Sequence, residues 1–483
     1  MGRGLARLLL FLILALGLCP NALAQEARQP DVVVVGGGLA GLVTAYELEQ
    51  GGLTVHILEA ADRFGGRVAT ARYGPGLAAE YGMHEIWADN PLRDYLARLG
   101  VALSEPEEPY SSVYLAGKLY PYVQDDAQGY LASVFSPEEL AAYNTWLEKC
   151  RSVFDDLHRN GIAGQNEKIQ QISFYEWLSQ FALPPRVAEF IRLAVECEVA
   201  TDWTDISAVY GIQQLGIFLH DTKCQHVPGG NGRVIQALVD ALKSPKTLGA
   251  RVTRVVRQKR ADGALECTVY YLKDNQLHSI KASRVVLAVP YHLLHAIQLE
   301  PTLTETQWKA VQTLEAGSYL VVHLVMDTAS NELFRIDGQL PFPVLTRGPL
   351  GVVYGVVDEP AQGQAEQVFS LLIHGSSAAT YLEPQDRIRP ELLAELEKIW
   401  PGVSRHVRSA YFYSYHPAAT PSWPAGRSNL DELSKSLRQE NLGLFLAGDY
   451  IFSSHAEGAV MAARAAAGAI LEQLKGPAAA RNR

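Results

Sequence analysis

The chain has 483 residues, 48% of them hydrophobic and 19% charged, and 52 acidic against 42 basic side chains give a formal charge of −10. This length and apolar share allow two domains with a large core. The acidic balance argues against a nucleic-acid partner and tolerates cationic ligands. Met1–Ala24 carries Arg3 and Arg7 ahead of an apolar run, Leu8–Leu18, and ends on Ala22-Leu23-Ala24, which fits a cleavage site before Gln25. The run is short for a bilayer span. A cleaved signal peptide and a periplasmic or secreted mature protein without a membrane span are therefore expected, with an uncleaved anchor as the alternative. Cys150, Cys197, Cys224 and Cys267 remain, with no C-x-x-C spacing, so no metal site is expected and their pairing stays open. No internal repeat is visible, and the only biased tract is an Ala/Pro/Arg tail, 476–483, expected to be flexible.

The stretch Asp31–Val68 organises the rest. Val32–Val35 is a β-branched run that suits a strand buried on both faces of a parallel sheet. Gly36, Gly38 and Gly41 form G-x-G-x-x-G and open a helix expected to reach about Gln50. The first glycine allows a tight turn and the second a close approach to a pyrophosphate. The third lets the helix pack against the strand, with phosphates at its positive N-terminal end. Thr54–Leu58 is the second expected strand, and it ends in Glu59, a carboxylate placed to accept both hydroxyls of an adenosine ribose. The tail Arg63-Phe64-Gly65-Gly66-Arg67 is an extension that a nicotinamide site does not need.

Strand, glycine turn, helix, acid and R-x-G-G-R tail together resemble the flavin-containing amine oxidase superfamily: monoamine, polyamine and L-amino-acid oxidases, with carotenoid desaturases as cousins. The resemblance implies an α/β fold, with an FAD-binding Rossmann-like domain of glutathione-reductase type and an inserted substrate domain of mixed sheet and helices. It implies FAD at Gly36, Gly38, Leu39, Ala40 and Gly41, at Glu59 and Ala60, and at Arg67 on the phosphates. Further on, Gly82 falls where a strand returns along the flavin ring system, with Met83 beside it. L-Amino-acid oxidases follow that glycine with a Met-Arg pair whose arginine grips the substrate carboxylate. His84 and Glu85 stand in those positions, which removes a bidentate carboxylate clamp. Glu85 is then either a site for a substrate ammonium or an exposed loop acid.

Residues Asn90–His220 are expected to be mostly helical, with apolar spacing over Pro91–Leu99, Pro137–Asn160, Ser173–Gln180 and Pro185–Cys197. Gly229-Gly230, a helix and the strand at Arg251 follow the family order, which places Val252 at the adenine. Val285–Pro290 is a further buried strand. Leu314–His323 matches a substrate-domain strand in which related oxidases carry a lysine near the flavin. Val321 or, with a one-residue slip, Val322 stands there, a hint of an electron acceptor other than oxygen.

Tyr413–Arg427 corresponds to the family loop that faces the flavin, and Asn441–Leu471 to a strand, turn and helix holding a second FAD signature. That signature implies contacts from Gly448, Asp449, Gly458 and Ala459. Monoamine oxidases place the amine between two rings. His455 matches the second ring position, as a base, a stacking wall or a structural residue. Ala419 matches the first, with Trp423 able to substitute. Ala418 replaces the cysteine that tethers flavin, so FAD is expected to be non-covalent. The implied units are 25–86, 225–300 and 405–475 for FAD and 87–224 and 301–404 for substrate. The implied reaction is oxidation of an amine C–N bond by hydride transfer to flavin N5, with His455, Trp423 and Glu85 at the substrate. The imine is then hydrolysed, and the electrons pass to oxygen or a periplasmic carrier. The rival readings are a desaturase-like enzyme acting on C–C bonds and a non-catalytic flavin-binding protein.

Overall fold

A computed structural model describes residues 29–122, 126–220, 222–355, 363–380 and 385–476. The expected signal segment, Met1–Ala24, and the tail 477–483 lie outside them. A five-stranded parallel sheet runs in the order Leu444–Leu446, Arg284–Leu287, Val32–Val35, Val55–Leu58, Lys246–Thr247. Val32, Val33 and Val34 have no exposed surface, which is why this strand is an uninterrupted valine run. The glycine-loop helix, Leu39–Gln50, packs against the terminal helix, Ala456–Lys475. Buried Ala459, Ala462, Ala463, Ala466 and Ala467 keep the two close.

A seven-stranded mixed sheet runs in the order Val407–Ser422, Glu315–Asp327, Glu366–His374, Val352–Tyr354, Val344–Leu345, Ser112–Leu115, Lys118–Tyr120. A four-stranded sheet, Gln276–Ala282, Leu265–Lys273, Arg251–Lys259 and Gln298–Glu300, completes the large strands. Pro137–Asn160 is a helix with the boundaries the spacing gives, started by a Ser136–Glu139 capping box and Pro137. Pro185–Val199 runs two residues beyond expectation.

The stretch Asn90–His220 is mostly helical, as expected, and includes one hairpin, Ser112–Leu115 with Lys118–Tyr120, that joins the seven-stranded sheet. One sequence expectation is corrected. The segment expected as a loop over Tyr413–Arg427 is strand as far as Ser422, paired antiparallel with Glu315–Asp327. Residues 407–422 thus belong to the seven-stranded sheet, although the sequence division at 405 groups them with the FAD unit. No helix among the described residues is long and apolar enough to cross a membrane.

Candidate active site

The first strand delivers the chain into the glycine turn, where the Gly36 N–H donates to Leu58 O at 2.8 Å. Gly36 has φ +106°, and a Cβ there would lie 2.4 Å from Ala288 O. A Cβ on Gly41 would lie 1.9 Å from Gly36 O, so the helix packs on the turn only with glycine at that position. Gly38 differs from both, since a Cβ there would meet nothing within 4 Å. The helix that starts at Leu39 has no side-chain cap and no acidic residue in its first turn. Its leading N–H groups therefore face open space with the positive end of the helix dipole behind them, the requirement for a bound phosphate. Glu59 closes this cradle by accepting the Gly37 N–H at 2.6 Å and the Ala61 N–H at 2.7 Å. The Ala250 N–H donates to Glu59 O at 2.8 Å, which brings the strand bearing buried Val252 to the acid, with Ala60 exposed between Glu59 and Ala61. The donor set and the open position at Gly38 fit a dinucleotide such as FAD.

Arg67 and Asp449, from opposite ends of the chain, form a bidentate pair at 2.6 and 2.9 Å. Arg67 also donates to Ala419 O at 2.6 Å. Asp449 is nearly buried, while 38% of the Arg67 side chain remains accessible, so the guanidinium keeps a face toward open space. Glycine at 82 answers to the protein's own backbone: a Cβ would lie 1.8 Å from Arg67 O, and the Met83 N–H donates to that same oxygen at 3.2 Å. At the other end, a Cβ on Gly448 would strike the Tyr450 ring at 2.4 Å, and one on Gly458 would fall 1.7 Å from Ser453 O. Glycine at 458 lets the terminal helix start tightly behind Ser453, with Ala459 buried in its first turn.

An acidic wall adjoins these elements. Glu85 follows His84, whose ring stacks on Tyr354 at 4.1 Å between centroids and 19° between planes. His84 Nδ1 lies 2.8 Å from Gly82 O. A carbonyl only accepts, so Nδ1 carries the proton, and Nε2 is left as a buried acceptor without a partner. Glu198 lies at the end of helix Pro185–Val199. That end is locked to the strand Glu315–Asp327, where the Ser318 N–H donates to Ala200 O at 2.8 Å and a Cβ on Gly317 would lie 2.2 Å from Val199 O. Tyr319 from the same strand donates to Cys197 O. Burial, reinforced by the charge of Glu107, pushes the Glu85 carboxyl up to about 7. Burial, reinforced by Glu85 and Glu457, pushes Glu198 up to about 8. Glu85 and Glu198 both raise Tyr319 and Tyr354, after burial itself, so these four groups share one electrostatic environment. Both acids keep some accessible surface.

His455 precedes the terminal helix with φ 84° and ψ −175°. That region is essentially reserved for glycine and costs a side-chain-bearing residue about 1–3 kcal/mol. Its Nε2 lies 2.9 Å from Gln214 Oε1. Trp423, suggested by the sequence as an aromatic wall, is a core ring. It has no exposed surface, its N–H donates to Ser434 Oγ at 3.1 Å, and it packs 5.0 Å from the Tyr210 ring. Ala419 is also buried, and its carbonyl is used by Arg67. Val321 and Val322 are both fully buried on opposite faces of their strand, Val321 on the face that shares a cluster with Tyr210 and Trp423. The four cysteines are free. Sequence reasoning missed Glu198, Tyr319, Tyr354 and Gln214, which reach this region from four separate elements. The only signal in the chain is the pair Glu196 and Glu198 at the end of a helix that also carries Arg186, Glu189 and Arg192, so nothing in the pattern marks Glu198 out.

The family model for flavin containing amine oxidoreductase matches residues 39–471. Among curated relatives, polyamine oxidase 2 of Arabidopsis thaliana is 28% identical over 456 residues, covering 89% of this chain and 85% of its own. The L-amino acid oxidase bordonein-L of Crotalus durissus terrificus is 24% identical over 324 residues, 66% of this chain and 61% of the relative. The chain thus spans less than two thirds of the length of the rattlesnake oxidases that it matches. In fold it is similar to a putrescine oxidase bound to putrescine, with TM-score 0.76 and 21% identity over 92% of this chain and 99% of the other. Cyclohexylamine oxidase from Brevibacterium oxydans IH-35A gives TM-score 0.75 and 19% identity over 93% and 100%.

Proposed function

The chain belongs to the flavin-containing amine oxidoreductase family, and we propose that it oxidises an amine at its C–N bond with non-covalently bound FAD. Bound FAD would supply the two-electron acceptor for the hydride that leaves the amine α-carbon. The first N–H groups of the glycine-loop helix and the open face of Arg67 would hold its phosphates, Glu59 its ribose hydroxyls and Val252 its adenine. Gly82, Met83, Gly448, Asp449, Gly458 and Ala459 line the approach to the ring system. On this reading the five-stranded sheet carries the cofactor, while the seven-stranded sheet and the helices before it shape the substrate cavity.

The observation that carries the amine reading is the acidic wall of Glu85 and Glu198. A carboxylate whose conjugate acid is raised to about 7 or 8 is a stronger base than an ordinary one, so above that pH either acid, once ionised, can relieve an incoming ammonium of its proton. The other, on losing its own proton, can pair with a second cationic end. Arg192, the guanidinium nearby on the same helix, is paired with Glu196 at 2.9 Å and offers no substrate carboxylate a clamp. Loss of hydride and proton gives an imine, and water converts it to an aldehyde or ketone and to ammonia or a smaller amine. The electron pair then passes to oxygen or to a carrier outside the cytoplasm. The absence of an ionisable group at Val321 and Val322 favours the carrier.

The test is anaerobic mixing of the purified flavoprotein with amines, diamines and amino acids. Bleaching of the oxidised flavin band by amines is expected, with diamines ahead of monoamines and amino acids inert. Air then separates an oxidase from a dehydrogenase by the rate at which colour returns. A flavin that no amine bleaches overturns the reading.

A further inference from the structure

The glycine turn at Gly229-Gly230 ends in Asn231, which has no exposed surface. Its Nδ2 donates to Met83 O and to His84 O at 2.9 Å each, and its Oδ1 accepts the Val227 N–H at 2.9 Å. A carbonyl only accepts and a backbone N–H only donates, so these three partners leave the amide a single orientation. The Asn231 backbone N–H donates to Glu80 Oε1 at 2.6 Å. The next N–H, that of Gly232, donates to Thr70 Oγ1 at 2.8 Å, and the Thr70 hydroxyl lies 3.1 and 2.9 Å from the two oxygens of the same carboxylate. The turn approaches Thr70 this closely only with glycine at 230, where φ is +103° and a Cβ would lie 2.4 Å from Thr70 Cγ2.

What the amide grips is the turn that leads into Glu85. The peptide unit is planar, so holding the His84 carbonyl also holds the Glu85 N–H. Just beyond, Ile86 and Trp87 pair antiparallel with Gln225 and Cys224. The Glu85 backbone is thus pinned on both sides by one segment, 224–231, and only its side chain is left to turn. We propose that Asn231 is a positioning residue, which clamps the Met83 and His84 carbonyls to set the place of the Glu85 carboxyl and, through it, the preference for amines with a second cationic end. The clamp follows from the hydrogen bonds alone, whereas the preference rests on the amine-oxidation reading.

The experiment uses the holoprotein with 13C-methyl methionine. The chain has four methionines, and Met1 lies in the expected signal segment, so the mature protein gives signals from Met83, Met326 and Met461. Met83→Leu identifies the first of them. Asn231→Leu removes both donors, and it should move the Met83 signal while those of Met326 and Met461 stay in place, which shows a local change and not misfolding. The ratio of anaerobic reduction rates for 1,4-diaminobutane over butylamine should fall about tenfold, the weight of one hydrogen bond to a charged group. With Glu85→Gln already present, Asn231→Leu should change that ratio by less than about twofold, because it acts through Glu85. Asn231→Ser, which keeps one donor, should show the same effects at smaller size and carries the test where the leucine protein does not fold. A Met83 signal that stays in place in both variants overturns the proposal. So does a ratio that neither variant lowers, or one that falls equally with Glu85→Gln present. Failure of both amines to bleach the wild-type flavin instead overturns the functional reading and the substrate half of the proposal, while the Met83 signal still decides the clamp.

Discussion

Glycines 38 and 41 sit three residues apart in one motif, yet alanine at each should fail in a different way. At Gly41 the new Cβ would lie 1.9 Å from Gly36 O, so the helix must retreat by more than 1 Å to reach even the 3.0 Å that real Cβ contacts respect. Overpacking of this kind costs about 1–3 kcal/mol, and a backbone carbonyl has no rotamer by which to yield. At Gly38 the dihedrals are φ −75° and ψ −177°, open to alanine, and the Cβ meets no protein atom within 4 Å. Loss of a favourable N-cap residue, about 0.5–1 kcal/mol, is offset by about 0.4–1 kcal/mol from a less flexible unfolded chain. Gly38→Ala should therefore melt within about 1 kcal/mol of wild type as apoprotein. Its methyl group, however, stands where a pyrophosphate approaches, and a clash of about 1–3 kcal/mol weakens Kd for FAD about 5- to 150-fold. Thermal melts of the apoproteins and titration of each with FAD by flavin fluorescence separate the two effects. A Gly38→Ala protein that binds FAD as tightly as wild type refutes this placement of the phosphates.

The acidic wall should make stability pH-dependent. Glu85 and Glu198 titrate in the folded state at about 7 and about 8, against an ordinary 4.5, because burial disfavours their charged forms. The folded protein then binds more protons than the unfolded chain between these values, and its stability falls as pH rises through the window. Glu198→Gln should flatten that fall in melts taken across it, and an unchanged slope would remove Glu198 from the account. Glu85→Gln should erase a preference for diamines over monoamines, measured as the ratio of their anaerobic reduction rates. Breaking the Arg67–Asp449 pair should be asymmetric. Arg67→Leu leaves a nearly buried carboxylate unpaired at a cost of about 3–5 kcal/mol, whereas Asp449→Asn leaves a guanidinium that still reaches open space and costs less. Chemical denaturation of both variants checks the order. His455→Gly trades about 1–3 kcal/mol of backbone strain for one hydrogen bond of about 1 kcal/mol. It should raise stability slightly while slowing reduction by amines, and a destabilised variant would contradict the strain.

What was legible in the sequence was local. The Val32–Val35 run, the glycine turn and Glu59 lie within thirty residues, and each is demanded by geometry a few ångströms away. What was not legible depends on contacts between distant elements. Glu198 is an ordinary acid in a helical pattern until Gly317 and Ser318 lock that helix end to the strand Glu315–Asp327, where burial and the charge of Glu85 act on it. Trp423 looked like a cavity wall because motif spacing placed it there, but spacing does not reveal Tyr210 and Ser434 closing over both the ring and its N–H. Tyr413–Arg427 was read as a loop from its correspondence to the family loop that faces the flavin, and that likeness does not reveal the strand pairing that runs as far as Ser422. As an edge strand paired only with Glu315–Asp327, Val407–Ser422 can hold prolines that a central strand could not.

The link between the two ends of the chain governs how the site is assembled. Strand Leu444–Leu446 pairs with Arg284–Leu287 at the edge of the parallel sheet, and the turn after it delivers Asp449 to Arg67. Until that strand docks, Arg67 has no carboxylate to fix its guanidinium, Ala419 O has no donor from it, and the terminal helix has no partner face on Leu39–Gln50. The glycine loop takes its contacts from Leu58, Glu59 and Ala288, all ahead of residue 289. The phosphate cradle is thus built from the front of the chain, while the partner of its Arg67 comes from the C-terminal segment. A dinucleotide that meets both halves binds the folded protein in preference to either part, so its binding free energy adds to the stability of the join itself.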